Sequence, residues 1–441
     1  MLPMKALNCV AGVAAVVLAI WTSVGQASAA CRPGAYGPGD GDFVAIVAPA
    51  DARGTAFGYL FRDGRRGGLD DPDSPIRCDD AGVSIVAGAV RWPRLALRET
   101  DTHFTSAATR LHGVLIEPDA GADPRRPLVV LVHGSEKTPA TTDLPARYAL
   151  AAQGIAVFVY DKRGTGGSDG EYTQNFELLA DDAAAALTHA QSLARGRYGR
   201  SGFYGGSQGA WIAPLASTRS AADFVAVGFG LVVSPIEEDR EQMQLEARKL
   251  RLDRAAMDAI DELSRATGRL VSTHFADGYA ELEALRRKVA GQPWVAQIDG
   301  EHSGDMLRMS DAELRRVGRA RFDNLELIWD YDSVAALRAV RVPMLWVLAG
   351  EDREAPIEGT LKALNSLGRT AQPIDLYVFP DTDHGIREFV TLPDGNRRMT
   401  KTADGYLRLL GDWIKGATDG SYGRAERIAL KTPGLHGKAQ H

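Results

Sequence analysis

At 441 residues the chain exceeds what one hydrophobic core usually organises, so two or three structural units are expected. Its formal net charge of −6, spread over interspersed acidic and basic residues, offers no basic footprint and excludes nucleic acid as a partner.

Taken in chain order, residues 1–30 read as a signal peptide. Lys5 supplies a positive start, and Val10 to Trp21 is an apolar run shorter than the ~20 residues a spanning helix needs. Ala27-Ser28-Ala29 supplies the small-x-small cleavage pattern. Cleavage near Ala29 or Ala30 predicts a secreted or periplasmic protein with no stable membrane insertion. Cys9 leaves with the signal, so Cys31 and Cys78 remain as an even pair in a compartment that permits disulfides. A bridge and two free thiols are both open at this point. Lipidation at Cys31 is disfavoured by Ser28, which stands where a lipoprotein signal prefers a large aliphatic residue.

Residues 31–101 are rich in Gly, Pro and Asp, with β-like runs at Phe43–Val47, Phe57–Phe61, Val83–Val90 and Leu95–Leu97. They predict a small β-rich accessory unit, read as packing support because no aromatic or charged cluster in it selects a ligand. From residue 102, Phe104–Ser106 and Leu111–Ile116 suggest a hairpin, and apolar runs then alternate with helical ones. Strands are expected at Leu128–Val132, Ile155–Tyr160, Gly202–Tyr204, Phe224–Val233, Pro343–Leu348 and Ile374–Phe379, and helices at Ala140–Ala152, Phe176–Ala194 and Thr400–Ile414. Continuous apolar strands alternating with helices predict a mostly parallel, doubly wound α/β sheet of about eight strands, built from residues 102–235 and 341–415. Residues 236–340 form a charged insertion with helical period. Met257, Ile260, Leu263 and Leu270 recur on one face and Ser310 with Glu313 forms a capping box, so a helical cap is expected. Its apolar stripes, Trp294 and Met306 included, are read as core. Residues 416–441 are polar and expected to be a flexible tail.

Gly205-Gly206-Ser207-Gln208-Gly209 matches G-x-S-x-G, in which a serine sits on a sharp strand-to-helix turn and flanking glycines keep Cβ atoms out of it. Gly166-Gly167-Ser168-Asp169-Gly170 matches the same pattern. Ser207 follows its strand closely and leads straight into an apolar helix, whereas Ser168 lies inside a loop well past Tyr160. Ser207 is therefore read as the nucleophile.

A serine hydroxyl needs a general base, and the base needs an acid that fixes its tautomer. Asp352 and His384 each stand just past an apolar strand, where a parallel sheet presents its functional groups. Glu351 and Glu354 compete with Asp352 for the acid's role, and Asp383 adjoins His384 too closely in sequence to reach its ring easily. The oxyanion donors are expected to be the backbone N–H groups of Gln208 and of Ser135, in the loop His133-Gly134-Ser135-Glu136. His133 and the charges of Asp161-Lys162-Arg163-Gly164 are read as internal bracing. No metal-binding spacing and no phosphate-binding glycine loop occurs, so neither metal nor cofactor is expected.

Across residues 102–415 the chain resembles the α/β-hydrolase family. Leu131-Val132-His133-Gly134-Ser135, Tyr160-Asp161-Lys162-Arg163-Gly164 and the elbow together resemble a bacterial branch of serine carboxylesterases grouped with dienelactone-hydrolase-like and serine-aminopeptidase-like proteins. The resemblance implies an N-terminal β domain, a helical cap and a Ser-His-Asp triad of Ser207, His384 and Asp352. Gly206 stands where many relatives carry histidine. The function this predicts is an exported serine hydrolase cleaving small-molecule carboxylic esters through an acyl-enzyme. A peptidase, aminopeptidase or acyltransferase would use the same triad, and a non-catalytic binding protein is the rival outside enzymes. Oligomeric state, acyl length and alcohol group are not encoded in these motifs.

Overall fold

The computed structural model describes residues 31–49, 57–79, 82–85, 90–119, 123–368, 373–418 and 420–430. The predicted signal peptide and residues 431–441 lie outside them.

Short strands at Gly34–Tyr36, Val44–Val47, Gly58–Phe61 and Arg66–Gly68 make a four-stranded antiparallel sheet. Ile76–Asp79, Gly82–Ile85 and Val90–Trp92 make a second sheet of three strands. The run expected as one strand at Val83–Val90 is thus parts of two paired strands. Val44, Ile46, Tyr59, Phe61, Val83 and Trp92 form the core between these sheets, while Ala35, Phe43, Ala45 and Leu60 join the core of the large sheet instead. This first unit therefore packs its other face onto the body of the protein. A disulfide joins Cys31 to Cys78 with Cα atoms 5.2 Å apart. Closing a loop of 47 residues is worth at most about 4 kcal/mol on the chain-entropy model.

The large sheet has nine strands: β1 (Leu97–Ser106), β2 (Thr109–Pro118), β3 (Leu128–Val132), β4 (Ala156–Tyr160), β5 (Ser201–Gly206), β6 (Phe224–Gly228), β7 (Met344–Ala349), β8 (Ile374–Phe379) and β9 (Glu426–Ile428). Their order is β9-β8-β7-β6-β5-β3-β4-β2-β1. Strands β3 to β8 run parallel, and the hairpin β1–β2 and strand β9 are antiparallel at the two edges. Strand β1 starts at Leu97, so the unit boundary expected at residue 101 falls inside a strand.

Successive residues of a strand point to opposite faces. Val130, Phe158, Phe203, Val225 and Trp346 accordingly meet helices on one face, whereas Val129, Val157, Tyr204, Ala226 and Leu345 meet helices on the other. With both faces covered, burying each large apolar side chain contributes about 1.5–3 kcal/mol, and the strands read as unbroken apolar runs.

The helices around this sheet are α1 (Ala140–Asp143), α2 (Ala146–Ala151), α3 (Phe176–Leu193) and α4 (Gly209–Ser217), with α11 (Ile357–Leu367) and α12 (Tyr406–Lys415) following the insertion. One helix was expected at Ala140–Ala152. Pro145 holds Leu144 extended and splits it in two.

The insertion carries α5 (Pro235–Lys249), α6 (Arg254–Ser272), α7 (Tyr279–Lys288), α8 (Ser303–Arg308) and α9 (Asp311–Phe322). Ser234 and Ser310 cap two of them by accepting the N–H of Glu237 and Glu313, each at 3.2 Å. Ile260, Leu263, Leu270, Trp294 and Met306 close a separate apolar core, as the periodicity predicts. The last helix of the stretch, α10 (Ser333–Ala339), differs: Leu337 belongs to the core of the large sheet.

Two further expectations fail near the C-terminus. Arg397–Thr402 is a strand paired with Arg387–Thr391, and helix α12 spans Tyr406–Lys415 rather than starting at Thr400. Gly405, at φ +90°, makes the turn into it, a conformation open to glycine. The tail is not flexible throughout, since Glu426–Ile428 pairs with β8 and closes what would be an open sheet edge. The strand expected to reach Val233 ends at Gly228, because Phe229 turns the chain at φ +42°.

Candidate active site

Strand β5 delivers Ser207 and α4 carries the chain away. Ser207 holds φ +52°, a left-handed conformation that costs a non-glycine residue about 1–2 kcal/mol. Its N–H donates to the Gly228 carbonyl at 3.2 Å and its carbonyl accepts the Ala210 N–H at 2.8 Å, which hold the turn in place. A Cβ on Gly205 would collide with the carbonyl oxygen of Gly209, and one on Gly209 with that of Val132. At Gly206 a Cβ would run into the Phe229 ring, and that ring packs edge-on against His384 with centroids 5.1 Å apart. Glycine there makes room for an aromatic brace on the imidazole.

His384 follows β8 and Asp352 follows β7, neighbours in the sheet. His384 Nε2 lies 3.1 Å from Ser207 Oγ, and His384 Nδ1 lies 3.0 Å from Asp352 Oδ2. The other Asp352 oxygen accepts the N–H groups of Glu354 at 3.0 Å and Ala355 at 2.8 Å, so the carboxylate is buried yet satisfied. The competing acids are placed elsewhere. Glu351 pairs with Arg397, and Asp383 accepts the N–H groups of Arg353 and His384 and the Arg397 guanidinium. Glu354 lies 3.5 Å from His384 Nε2, on the serine side of the ring. Burial opposes charge on His384, but the Asp352 hydrogen bond and charge, with Glu354 and Asp383, outweigh it and raise its pKa above the ordinary 6.5.

Ser135 and Gln208 line the same cavity as Ser207. Among the described residues neither backbone N–H donates to another group of the chain, which leaves both free for an oxyanion. His133 is buried beside Glu136, and among the described residues its Nε2 has no hydrogen-bond partner.

Ser168 is placed differently. Its hydroxyl donates to the Asp161 carbonyl at 2.7 Å and accepts the His112 N–H at 2.9 Å. The Asp161 carboxylate takes His112 Nδ1 at 2.9 Å, the Gly167 N–H at 3.0 Å and the Thr141 hydroxyl at 2.8 Å, while Arg163 forms a bidentate pair with Asp182 on α3. This loop is bracing.

The cavity over Ser207 holds about 280 Å³ and lies between the sheet and the helical insertion. Trp211, Leu231, Leu327 and Trp329 give it apolar walls, and Glu238, Glu301 and Glu354 give it an acidic one. Burial, then the charges of Glu301 and Glu354, push Glu238 well above the usual carboxylate range. Arg321 also lines the cavity, but its guanidinium is paired with Asp305. Sequence patterns carry no signal for this wall, because its acids come from one helix and two loops that meet only in the folded chain. Among the described residues no group of three or more His, Cys, Asp or Glu could hold a metal ion, and no helix is long and apolar enough to cross a membrane.

A family model described as serine aminopeptidase, S33, matches residues 123–268, about a third of the chain, including β3, the Asp161 loop and the elbow. Comparison with curated protein sequences finds no match. Among solved structures, DcsB, determined with a substrate analogue, is 15% identical over 74% of this chain and 100% of its own, with a TM-score of 0.44. The Pyrococcus horikoshii acylaminoacyl peptidase is 12% identical over 81% of this chain and 46% of its own, with a TM-score of 0.43. A Pyrococcus furiosus esterase is 15% identical over 65% of this chain and 84% of its own, with a TM-score of 0.41. Likeness of this degree carries nothing about substrate. Its sheet order, its strand-to-helix elbow and the family match over residues 123–268 give the chain an α/β-hydrolase fold.

Proposed function

We propose that this hydrolase is an exported serine esterase that cleaves carboxylic esters through an acyl-enzyme. The observation that carries the reading is the relay of 3.1 Å from Ser207 Oγ to His384 Nε2 and 3.0 Å from His384 Nδ1 to Asp352. Ser207 Oγ attacks the ester carbonyl carbon while His384 Nε2 takes its proton. Asp352 holds the tautomer that leaves Nε2 free and balances the imidazolium that forms. The N–H groups of Gln208 and Ser135 hold the oxyanion, and His384 returns the proton to the departing alcohol. Water then attacks the acyl-serine by the same steps in reverse. Export is supported by the charge and apolar pattern of residues 1–30 and by the Cys31–Cys78 bridge, since such bridges persist in oxidising compartments.

A second reading, hydrolysis of aminoacyl or peptide substrates, is favoured by one observation: Glu301 and Glu354 face the cavity and would attract an ammonium group, whose charge would favour ionised Glu238 beside them. p-Nitrophenyl esters of increasing acyl length, assayed beside aminoacyl-nitroanilides, separate the two. Turnover of neutral esters with none of the nitroanilides supports the esterase. Turnover confined to substrates with a free amine overturns it in favour of the second reading, and no turnover of either, with no labelling by a fluorophosphonate, leaves a binding protein.

A further inference from the structure

Lys162 is 2% exposed, and among the described residues no carboxylate pairs with its ammonium. An unpaired buried charge is unusual, because burial without a counter-charge is costly. Its Nζ instead donates to the carbonyl oxygen of Gly134 and to Gln208 Oε1 at 3.2 Å. These are the two places from which the oxyanion donors come. Lys162 sits just past β4, Gly134 past β3 and Gln208 past β5, and those strands are adjacent in the order β5-β3-β4. One side chain thus ties three neighbouring strand ends together.

The geometry points to Lys162 as a positioning residue that sets the oxyanion hole through the Gly134–Ser135 peptide and the Gln208 side chain. In a trans peptide the C=O of one residue and the N–H of the next point in opposite directions. Holding the Gly134 carbonyl on Lys162 therefore directs the Ser135 N–H away from Lys162. The next peptide is held as well, because the Tyr172 hydroxyl donates to the Ser135 carbonyl. Tyr172 in turn lies under two ammonium groups, Lys137 at 4.7 Å and Lys162 at 5.6 Å from its ring centroid. On the other side Lys162 anchors Gln208, whose own N–H is the second donor.

The charged and titratable groups around Lys162 are Glu136 and His133 on the β3 loop and Tyr172 with Lys137 beyond it. Burial lowers the ammonium's pKa and Glu136 opposes it, leaving a value of about 8. A charge-assisted bond is about twice as strong as a neutral one. Loss of the Lys162 proton should therefore loosen both anchors and depress kcat above about pH 8.

The inference rests on the serine-hydrolase reading, so the test first titrates wild-type protein with a fluorophosphonate and expresses kcat per labelled site. Lys162→Met is expected to lose about 100-fold in kcat, with KM within about threefold, since a misplaced oxyanion donor costs transition-state stabilisation only. Wild-type kcat should fall on the alkaline side of about pH 8, and Lys162→Arg, which stays charged, should lack that fall. These wild-type and arginine profiles decide the matter if Lys162→Met does not fold. A Lys162→Met protein with lowered Tm but wild-type kcat per site would show a merely structural lysine and overturn the inference. So would a wild-type profile flat from pH 7 to 10. Wild-type protein that takes no probe would instead overturn the hydrolase reading itself, and this inference with it.

Discussion

The segments Gly205–Gly209 and Gly166–Gly170 share one five-residue pattern, yet their serines have opposite surroundings. The Ser207 side chain stands off a left-handed turn with its hydroxyl facing an imidazole 3.1 Å away. The Ser168 hydroxyl is committed in both directions, to the Asp161 carbonyl and the His112 N–H. Beside Ser168, too, an aspartate and a histidine are in contact, Asp161 of its loop and His112 of β2, so composition does not tell the two apart. What differs is strand geometry: a strand that ends directly in a helix projects its side chain, whereas a loop folds its polar groups onto itself. The pattern therefore marks a turn, and its neighbours decide whether the turn does chemistry.

The largest break in this comparison comes from Ser207→Ala, which is expected to abolish fluorophosphonate labelling and lower kcat by about a million-fold. Persistent labelling that Ser168→Ala then removes would transfer the role to the other turn. A smaller effect concerns pH. The imidazole must be neutral to accept the Ser207 proton, and its pKa lies above the ordinary 6.5, so kcat/KM should fall as pH drops through a value higher than that. Glu354→Gln removes one of the negative charges that raise it and should move the acid limb to lower pH. A limb unmoved by that substitution, or one lying below 6.5 in the wild type, would detach His384 from the relay. The smallest effect is that of Ser168→Ala, which should leave kcat per labelled site unchanged and cost about 1–2 kcal/mol of stability for two lost hydrogen bonds. A denaturant midpoint measured beside the active-site titre checks both halves.

Much of the fold was legible because its signals are local. The apolar runs of β3, β4, β6 and β7 are continuous because both sheet faces are covered, and Ser310 with Glu313 marks a helix start by the hydrogen bond it makes. Other parts were illegible for equally physical reasons. Arg397–Thr402 is a polar segment with little apolar signal, so its pairing with Arg387–Thr391 cannot be read from either strand alone. The tail strand Glu426–Ile428 exists because β8 offers an unpaired edge to it. At the site, Asp352 and His384 could be proposed from their places at strand ends, but Glu351 and Glu354 lie within two residues of Asp352 and share its chemistry. Only the turn after β7 selects among them, by spending one Asp352 oxygen on the Glu354 and Ala355 N–H groups and aiming the other at His384.

The sequence by itself determined the α/β alternation, the helical insertion and the elbow, because sterics and periodicity act between neighbours a few residues apart. The tertiary structure alone decided which carboxylate meets His384, that Lys162 spans three strand ends, and that an acidic wall faces Ser207. Those depend on residues far apart in the chain, as with Ser207 and His384, 177 positions distant, and strand order is what brings them within hydrogen-bond reach.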